Sequence, residues 1–397
     1  MDFMFDEKTE ALRREVRRFA REELPTDHII QTEEYASDNL WSMSMAISKK
    51  LAQKGWLTIS WPREFGGMGA SDWEQAAFKE EAGYWAIPGT NMGVGGTGWI
   101  GPTLMLMGTE EQRKKFLPPI AAGDEDGVWS TGYSEPDAGS DLASLRTMAH
   151  RQGDEYVING QKIWNSGGNR ARWCWLACRT NPDTQKKHQG ISIIIVDMQS
   201  EGVSIRPIAN IVGHHSFNEI FFKDVRVPAT NLVGQENKGW SVLMTALSFE
   251  RELGLYFSGM FRRALDELIL YTREAGLITR QAIRNKLAEL AMHIGALRLN
   301  VYETVWKQSM GEKVIYEPSM DKLYMVEVLE RIGCTGSEIL GAYAQLDPLY
   351  EYGPHTRVQK IIKNMYWMAS GMVSGGGTQE TMRNIVAQFG LQLPKTN

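Results

Sequence analysis

Two stretches of the chain carry residue types whose spacing suits chemistry. The first is Trp129-Ser130-Thr131-Gly132-Tyr133-Ser134-Glu135-Pro136-Asp137-Ala138-Gly139-Ser140-Asp141, dense in hydroxyls and glycine. Pro136 fixes one bend and Gly139 permits a close backbone approach. Such a loop can wrap a flat or phosphate-bearing ligand with backbone N–H groups and the side chains of Thr131, Ser134 and Ser140. A solvated connection between domains would have the same composition. The second stretch is "LMTALSFERELG", where Leu243, Leu247, Glu250 and Gly254 advance by four, three and four and so share a helix face. A carboxylate on an apolar face is desolvated, its pKa rises, and it becomes a stronger base. The same spacing also suits a solvated Glu250–Arg251 pair on a helix surface.

These residues need elements to hold them. Leu12, Val16, Phe19, Ala20 and Leu24 predict a first amphipathic helix ending before Pro25. A second starts near Ser37-Asp38, carries Leu40, Met43, Ile47 and Leu51, and stops at Gly55. A turn-rich stretch with Gly66, Gly67 and Gly69 leads to a third helical pattern from Asp72. Gly93, Gly95, Gly96 and Gly98 then leave room for close helix packing or for a ligand. Pro118 and Pro119 are expected to break the last helix of this third of the chain.

From about Gly127 the period changes. "EYVINGQKIW" reads as a hairpin turning at Asn159-Gly160. Ile191 to Val196 form a continuous apolar run, as in a strand buried on both faces. Trp173 and Trp175 alternate around Cys174 as strand positions, and Val203 and Ile205 alternate with polar neighbours. "NEIFFKDVRVP" ends the region at Pro228. Short strands at this spacing predict a small β-barrel or sandwich. Helical spacing returns at Gly239, with breaks near Gly311, Pro348 and the glycines before Thr378. The fold class is therefore α+β and multidomain. His214 and His215 sit in a loop before a strand and receive no role.

Bulk composition narrows the function. The 397 residues suffice for two or three domains. With 43 basic and 48 acidic residues the chain carries −5, and no basic stripe supplies a nucleic-acid footprint. Cys174, Cys178 and Cys334 lack metal-type pairing and read as reduced thiols of a cytoplasmic protein, so no metal is expected. The charged N-terminus has no apolar signal core, and no run of about 18 apolar residues predicts a membrane span.

The segment "YSEPDAGSD" resembles the flavin-contacting TEPxAGSD signature of the acyl-CoA dehydrogenase family. The resemblance continues in order through "NGQKIWNSGG", "FFKDVRVPATNLVGQENKGW", "YTREAGLITRQAIRNKLAELA" and "GGGTQETMRNIVAQFG". It implies an N-terminal α-helical bundle over 1–125, a middle β-domain over 126–235 and a C-terminal four-helix-type bundle over 236–397. It implies FAD, contacted by Thr131, Tyr133, Ser134, Ser140, Trp164 and Ser166. Further contacts implied are Arg273, which reaches a neighbouring subunit's FAD, with Gln281, Glu338, Gly341, Thr378 and Glu380. The chain departs from the family pattern at Ala275, at Glu338 and at Ala342.

Removing α- and β-hydrogens from an acyl thioester takes a base, a hydride acceptor and donors to the thioester oxygen. Many relatives place the base glutamate in a C-terminal Tyr-Glu-Gly-Thr motif, and here Gly375, Gly376, Gly377 and Thr378 stand there. The family's second location for the base, on the helix after the β-domain, holds Glu250 followed by Arg251. The resemblance thus implies Glu250 as base, and Ser140, Arg251, Gly376 and Gly377 as contacts to the acyl-CoA. The implied reaction gives a trans-2-enoyl-CoA, with the hydride going to FAD and electrons to an electron-transfer flavoprotein. The implied assembly is a homotetramer, or a heterotetramer with a related subunit. Two other functions fit the same scaffold: a non-catalytic partner subunit and a flavin-dependent monooxygenase. Bases on the long helix occur in relatives acting on branched, long-chain or steroid-type acyl groups.

Overall fold

The computed structural model describes residues 5–25, 28, 37–90, 95–211, 214–250, 253–346, 353 and 355–394, without the side chains of Glu250 and Leu253. In chain order they form helices α1 (Glu7–Glu23), α2 (Asp38–Gln53), α3 (Asp72–Trp85), α4 (Gly101–Met107) and α5 (Glu110–Ala122). Strands follow: β1 (Trp129–Gly132), β2 (Met148–Gln152), β3 (Glu155–Lys162), β4 (Trp173–Arg179), β5 (Ile191–Asp197), β6 (Val203–Ile208), β7 (Phe217–Pro228) and β8 (Leu232–Val233). Helices return as α6 (Gly239–Glu250), α7 (Leu253–Glu274), α8 (Gln281–Ser309), α9 (Glu317–Leu340), α10 (Thr356–Met372) and α11 (Gln379–Ile385). Helices α1, α2, α3 and α5 begin where a short polar side chain, that of Asp6, Ser37, Ser71 and Thr109 respectively, accepts a free first-turn N–H. Among the described residues no helix is long and apolar enough to cross a membrane.

Two expectations fail locally. Pro118 and Pro119 lie inside α5, which runs on to a left-handed Gly123. Their missing N–H groups deprive the carbonyls of Lys114 and Lys115, which sit on the exposed face where water can serve them. Buried Phe116, Leu117 and Ile120 hold the helix meanwhile. Asn159-Gly160 does not turn the chain either. β3 runs straight through it, and the turn falls at Gly153-Asp154, between β2 and β3. Asn159 instead bonds to Asp224 of β7, donating from Nδ2 at 3.0 Å and accepting the Asp224 N–H at 2.9 Å. There the β3–β7 register shifts, and β7 carries one extra residue.

The chain divides into two compact units. One comprises Glu33–Gly69 with Pro88–Glu250. Its sheet has the strand order β6-β7-β3-β2-β4-β5-β8, with β1 paired parallel to β4. β3, β4, β5 and β7 send Tyr156, Ile158, Leu176, Ile194, Val196, Ile220 and Phe222 into one shared core, so the sheet folds over itself. The opposite face of β4 and β5 packs Trp175, Ile193 and Ile195 against α5 and α6, through Phe116, Ile120 and Leu243. That double burial is what the continuous Ile191–Val196 run requires. Gly93 lies outside the described residues. A Cβ on Gly96 would come within 3.2 Å of the Gly127 carbonyl, whereas one on Gly98 would meet nothing within 4 Å.

The other unit comprises Met1–Thr32, Ala70–Ile87 and Arg251–Asn397. α7 to α10 surround a core that includes Phe261, Leu268, Leu297, Leu329, Ile332 and Ile362. α3 presses so closely on α7 that a Cβ on Gly83 would lie 1.9 Å from the Tyr256 oxygen, and one on Gly259 2.0 Å from the Glu80 oxygen. Beside that crossing, buried Glu80 and Glu81 meet Arg13, Arg17, Arg262 and Arg298.

Asp321 of α9 is buried; its Oδ2 accepts from Thr304 at 2.7 Å and its Oδ1 has no partner among the described residues. Burial, helped by the nearby Glu317 and Glu303 charges, pushes its carboxyl up to about 7 against opposition from Thr304 and Lys307. A folded-state pKa above the unfolded value stabilises fully at low pH, and that contribution is lost as pH rises through about 7. Denaturant midpoints of the wild type should therefore fall between about pH 5 and pH 8 relative to those of Asp321→Asn, by a few kcal/mol in free energy. Parallel pH profiles for the two proteins would remove Asp321 as the cause.

Candidate functional site

β1 ends in the hydroxyl-rich loop, and β3 ends in the turn Ile163-Trp164-Asn165-Ser166. Hydrogen bonds fasten the two side by side. The Ile163 N–H donates to the Ser134 carbonyl at 2.9 Å. The buried Asn165 amide donates to the Thr131 carbonyl at 2.5 Å, and the Ser130 hydroxyl to the Ser166 carbonyl at 3.1 Å. From the other side β7 holds the turn: Asn165 N–H donates to the Asn218 carbonyl at 3.1 Å, and the Asn218 amide returns a bond to the Asn165 carbonyl at 3.0 Å. Thr131, Tyr133, Ser134, Trp164 and Ser166 therefore form one rim.

Behind that rim lies a buried ion pair. Lys162 is fully buried, and its Nζ donates to the Tyr133 carbonyl at 2.9 Å and to Glu135 Oε1 at 2.8 Å. Glu135 also accepts the Arg146 N–H at 2.6 Å and the Thr147 N–H at 2.8 Å. Burial alone would raise the Glu135 carboxyl, but the ammonium and these N–H groups bring it below its ordinary value. Burial lowers Lys162, and Glu135 opposes the fall. Sequence reasoning passed over both residues, and over Asn165. The available signal was the even-numbered inward phase of β3 (Tyr156, Ile158), which puts a lysine where an apolar side chain is expected.

The rim fits a flat, polar ring. Trp164 keeps 58% of its surface exposed while held at a left-handed φ of 63°, an arrangement costly unless something covers it. Its indole stands edge-on to Phe217 at 6.2 Å. Asn165 Oδ1 is buried without a partner, and the Ser134 N–H has no acceptor among the described residues. Donors, an acceptor and an aromatic face are what an isoalloxazine ring calls for. A cleft of about 300 Å³ beside Glu135, Pro136 and Arg146 contains none of the residues expected to touch a cofactor. Ser140 is exposed on the far arm of the loop, before Asp141, whose carboxylate binds Lys187 at 2.8 Å.

The remaining expected residues belong to the other unit. Arg273 closes α7 on an exposed face, and Gln281 opens α8, bonded to Asn285 at 2.6 Å. Glu338 of α9 pairs with Lys286 of α8, so the carboxylate in place of the family's glutamine is neutralised locally. Gly341, at φ 59°, caps α9. Gly376 and Gly377 are left-handed, at φ 65° and 96°, and Lys322 donates to the carbonyls of Gly375 and Gly377. Thr378 caps α11 by accepting the Thr381 N–H at 3.2 Å, and Glu380 lies 3.7 Å from Arg383.

Arg251 and the side chain of Glu250 lie outside the described residues. The backbone of Glu250 ends α6, whose Leu243 is buried and whose Leu247 packs on the same core. Among the described residues no cluster of His, Cys, Asp and Glu is arranged to hold a metal.

The three domain families of acyl-CoA dehydrogenases match in order: N-terminal over residues 6–124, middle over 130–225 and C-terminal over 237–391. The acyl-CoA dehydrogenase FadE26 of Mycobacterium tuberculosis is 36% identical over 374 residues, covering 92% of this chain and 90% of that protein. The Tcur3481-Tcur3483 steroid acyl-CoA dehydrogenase superposes with a TM-score of 0.89 at 34% identity, over 100% of both chains. The ChsE4-ChsE5 complex from Mycobacterium tuberculosis gives a TM-score of 0.86 at 33% identity, again over 100% of each chain. Sequence, architecture and the flavin-fitting rim thus agree, and the chain belongs to the acyl-CoA dehydrogenase family of FAD-dependent oxidoreductases.

Proposed function

We propose that this chain oxidises the CoA ester of a bulky acyl group to its trans-2-enoyl-CoA, with Glu250 as base. One observation carries the reading: Gly376 has no side chain to offer at the family's C-terminal base position, and Glu250 ends a helix whose Leu243 and Leu247 are in the core. Glu250 takes the α-proton and Arg251, next to it in sequence, faces the acyl-CoA. The N–H groups of Gly376 and Gly377, without acceptors among the described residues, donate to the thioester carbonyl. Ser140 contacts the CoA side. Thr131, Tyr133, Ser134, Ser140, Trp164 and Ser166 hold FAD, while Arg273, Gln281, Glu338, Gly341, Thr378 and Glu380 complete FAD contacts. When bound, FAD supplies the acceptor for the β-hydride.

The same reading places three functional domains at 1–125, 126–235 and 236–397, in a cytoplasmic tetramer that serves β-oxidation and reduces an electron-transfer flavoprotein. A steroid or other ring-bearing acyl group is favoured, because one relative matched along its whole length is a steroid acyl-CoA dehydrogenase. A second reading, a non-catalytic partner subunit, is supported by the two-chain composition of both structural relatives.

Anaerobic titration of the purified yellow protein with a panel of acyl-CoAs, from butyryl to steroid side-chain esters, tests the proposal. Bleaching of the flavin near 450 nm by a branched or ring-bearing ester, and weakly by straight short chains, is the expected outcome. A chain that binds FAD but is bleached by none of them alone supports the partner role and rejects the catalytic one.

A further inference from the structure

The buried Lys162 has no place in the proton or hydride chemistry, yet it occupies the space directly behind the rim. Its ammonium has two acceptors, one the Tyr133 carbonyl and the other the Glu135 carboxylate. A trans peptide sets its C=O and N–H antiparallel. With the Tyr133 carbonyl drawn inward to Lys162, the Ser134 N–H of the same peptide points the opposite way. The next peptide is fixed as well: the Ser134 carbonyl accepts from Ile163 and the Glu135 N–H donates to Ala138 at 3.0 Å. The Ser134 N–H is thus the one left over, and it has no acceptor among the described residues. The thiols of Cys174 and Cys178, pushed up to about 12 by burial, stay neutral, which leaves Glu135 as the counter-charge.

We propose that Lys162 is a positioning residue for the cofactor: by holding the Tyr133 carbonyl and the Glu135 carboxylate, it fixes the Ser134 N–H as a preorganised donor to the flavin ring. This rests on the rim's being the flavin site. A donor fixed from behind costs no reorganisation on binding, and it favours the ring as negative charge builds on reduction. Lys162 therefore acts on affinity and on reduction potential without touching FAD.

The test compares Lys162→Met, Glu135→Gln and Trp164→Ala in the full-length protein, using FAD itself as probe. Readouts are the FAD dissociation constant, the visible flavin spectrum and the midpoint potential. Lys162→Met should weaken FAD at least tenfold and shift the flavin bands. Reduced FAD should lose at least tenfold more affinity than oxidised FAD, which lowers the two-electron midpoint by at least about 30 mV. If Lys162→Met does not fold, Glu135→Gln, which keeps the volume, is read instead for a smaller change in the same direction. A folded variant with lower melting temperature but wild-type affinity, spectrum and potential would make Lys162 merely structural and overturn the proposal. Trp164→Ala separates the two readings. If it weakens FAD while Lys162→Met does not, only the Lys162 proposal falls; if neither does, the rim is not the flavin site and both fall.

Discussion

Replacing Glu250 with Gln should lower turnover of the best acyl-CoA by about 10²–10⁴-fold, while FAD stays bound and the Kd for the ester changes little. Glutamine keeps the size and hydrogen-bonding reach of glutamate but cannot accept the α-proton. The loss should therefore fall on kcat and leave ground-state binding intact. Stopped-flow reduction of the flavin checks this directly, since it isolates the chemical step from later electron transfer. Reduction at the wild-type rate would remove Glu250 from the mechanism. The C-terminal loop is poorly placed to take the role back. Gly376 sits at φ 65°, a region that L side chains rarely adopt, and Lys322 ties the carbonyls on either side of it.

Glu80→Ala should cost about 3–5 kcal/mol of stability, a large effect for one substitution on a helix. The carboxylate is fully buried and accepts from Arg298 Nε at 2.5 Å and Tyr302 Oη at 2.5 Å, with Arg262 3.6 Å away. Adjacent Glu81 takes Arg13 at 2.8 Å and Arg17 at 2.6 Å. Removing Glu80 strands the buried Tyr302 hydroxyl and takes the carboxylate partner from the half-buried Arg298, and these lost partners supply most of the loss. Burial would raise the Glu80 carboxyl, but Arg298 and Tyr302 bring it below the ordinary range. A depressed folded-state pKa gives stability that is present above the unfolded value, about 4.3, and is lost as pH falls below it. Urea unfolding at pH 7 and at pH 3 measures both claims. The gap between wild type and Glu80→Ala should be widest at pH 7 and shrink in acid; a gap below about 1 kcal/mol at pH 7 would contradict the account.

Much of this was legible from residue order because local and global signals agreed. The capped start at Ser37, the helical pattern from Asp72, the apolar Ile191–Val196 run and the stop at Pro228 all foretold their elements. Signals went wrong where tertiary contacts override local preference. Pro118 and Pro119 are breakers only when their helix lacks an apolar anchor, and Phe116, Leu117 and Ile120 supply one. Asn159-Gly160 has the composition of a tight turn, but Asp224 claims the asparagine and close approach to Thr147 claims the glycine. The hydroxyl-rich loop was legible from its residue types, whereas its backing was not. That Lys162 and Glu135 meet depends on β3 lying against the β1 loop, a pairing between residues 27 apart that no local pattern encodes.

The irregularity in β7 has a consequence for the whole sheet. Upstream of it Asn218, Ile220 and Phe222 face inward; downstream Val225 and Val227 do, so the strand switches from even to odd numbers across the exposed pair Lys223 and Asp224. β3 keeps a single parity past the same point, from Tyr156 through Ile158 to Lys162. The extra residue at Asp224 thus keeps apolar side chains inward on both halves of β7, and the end of β3 that carries the ammonium keeps its phase.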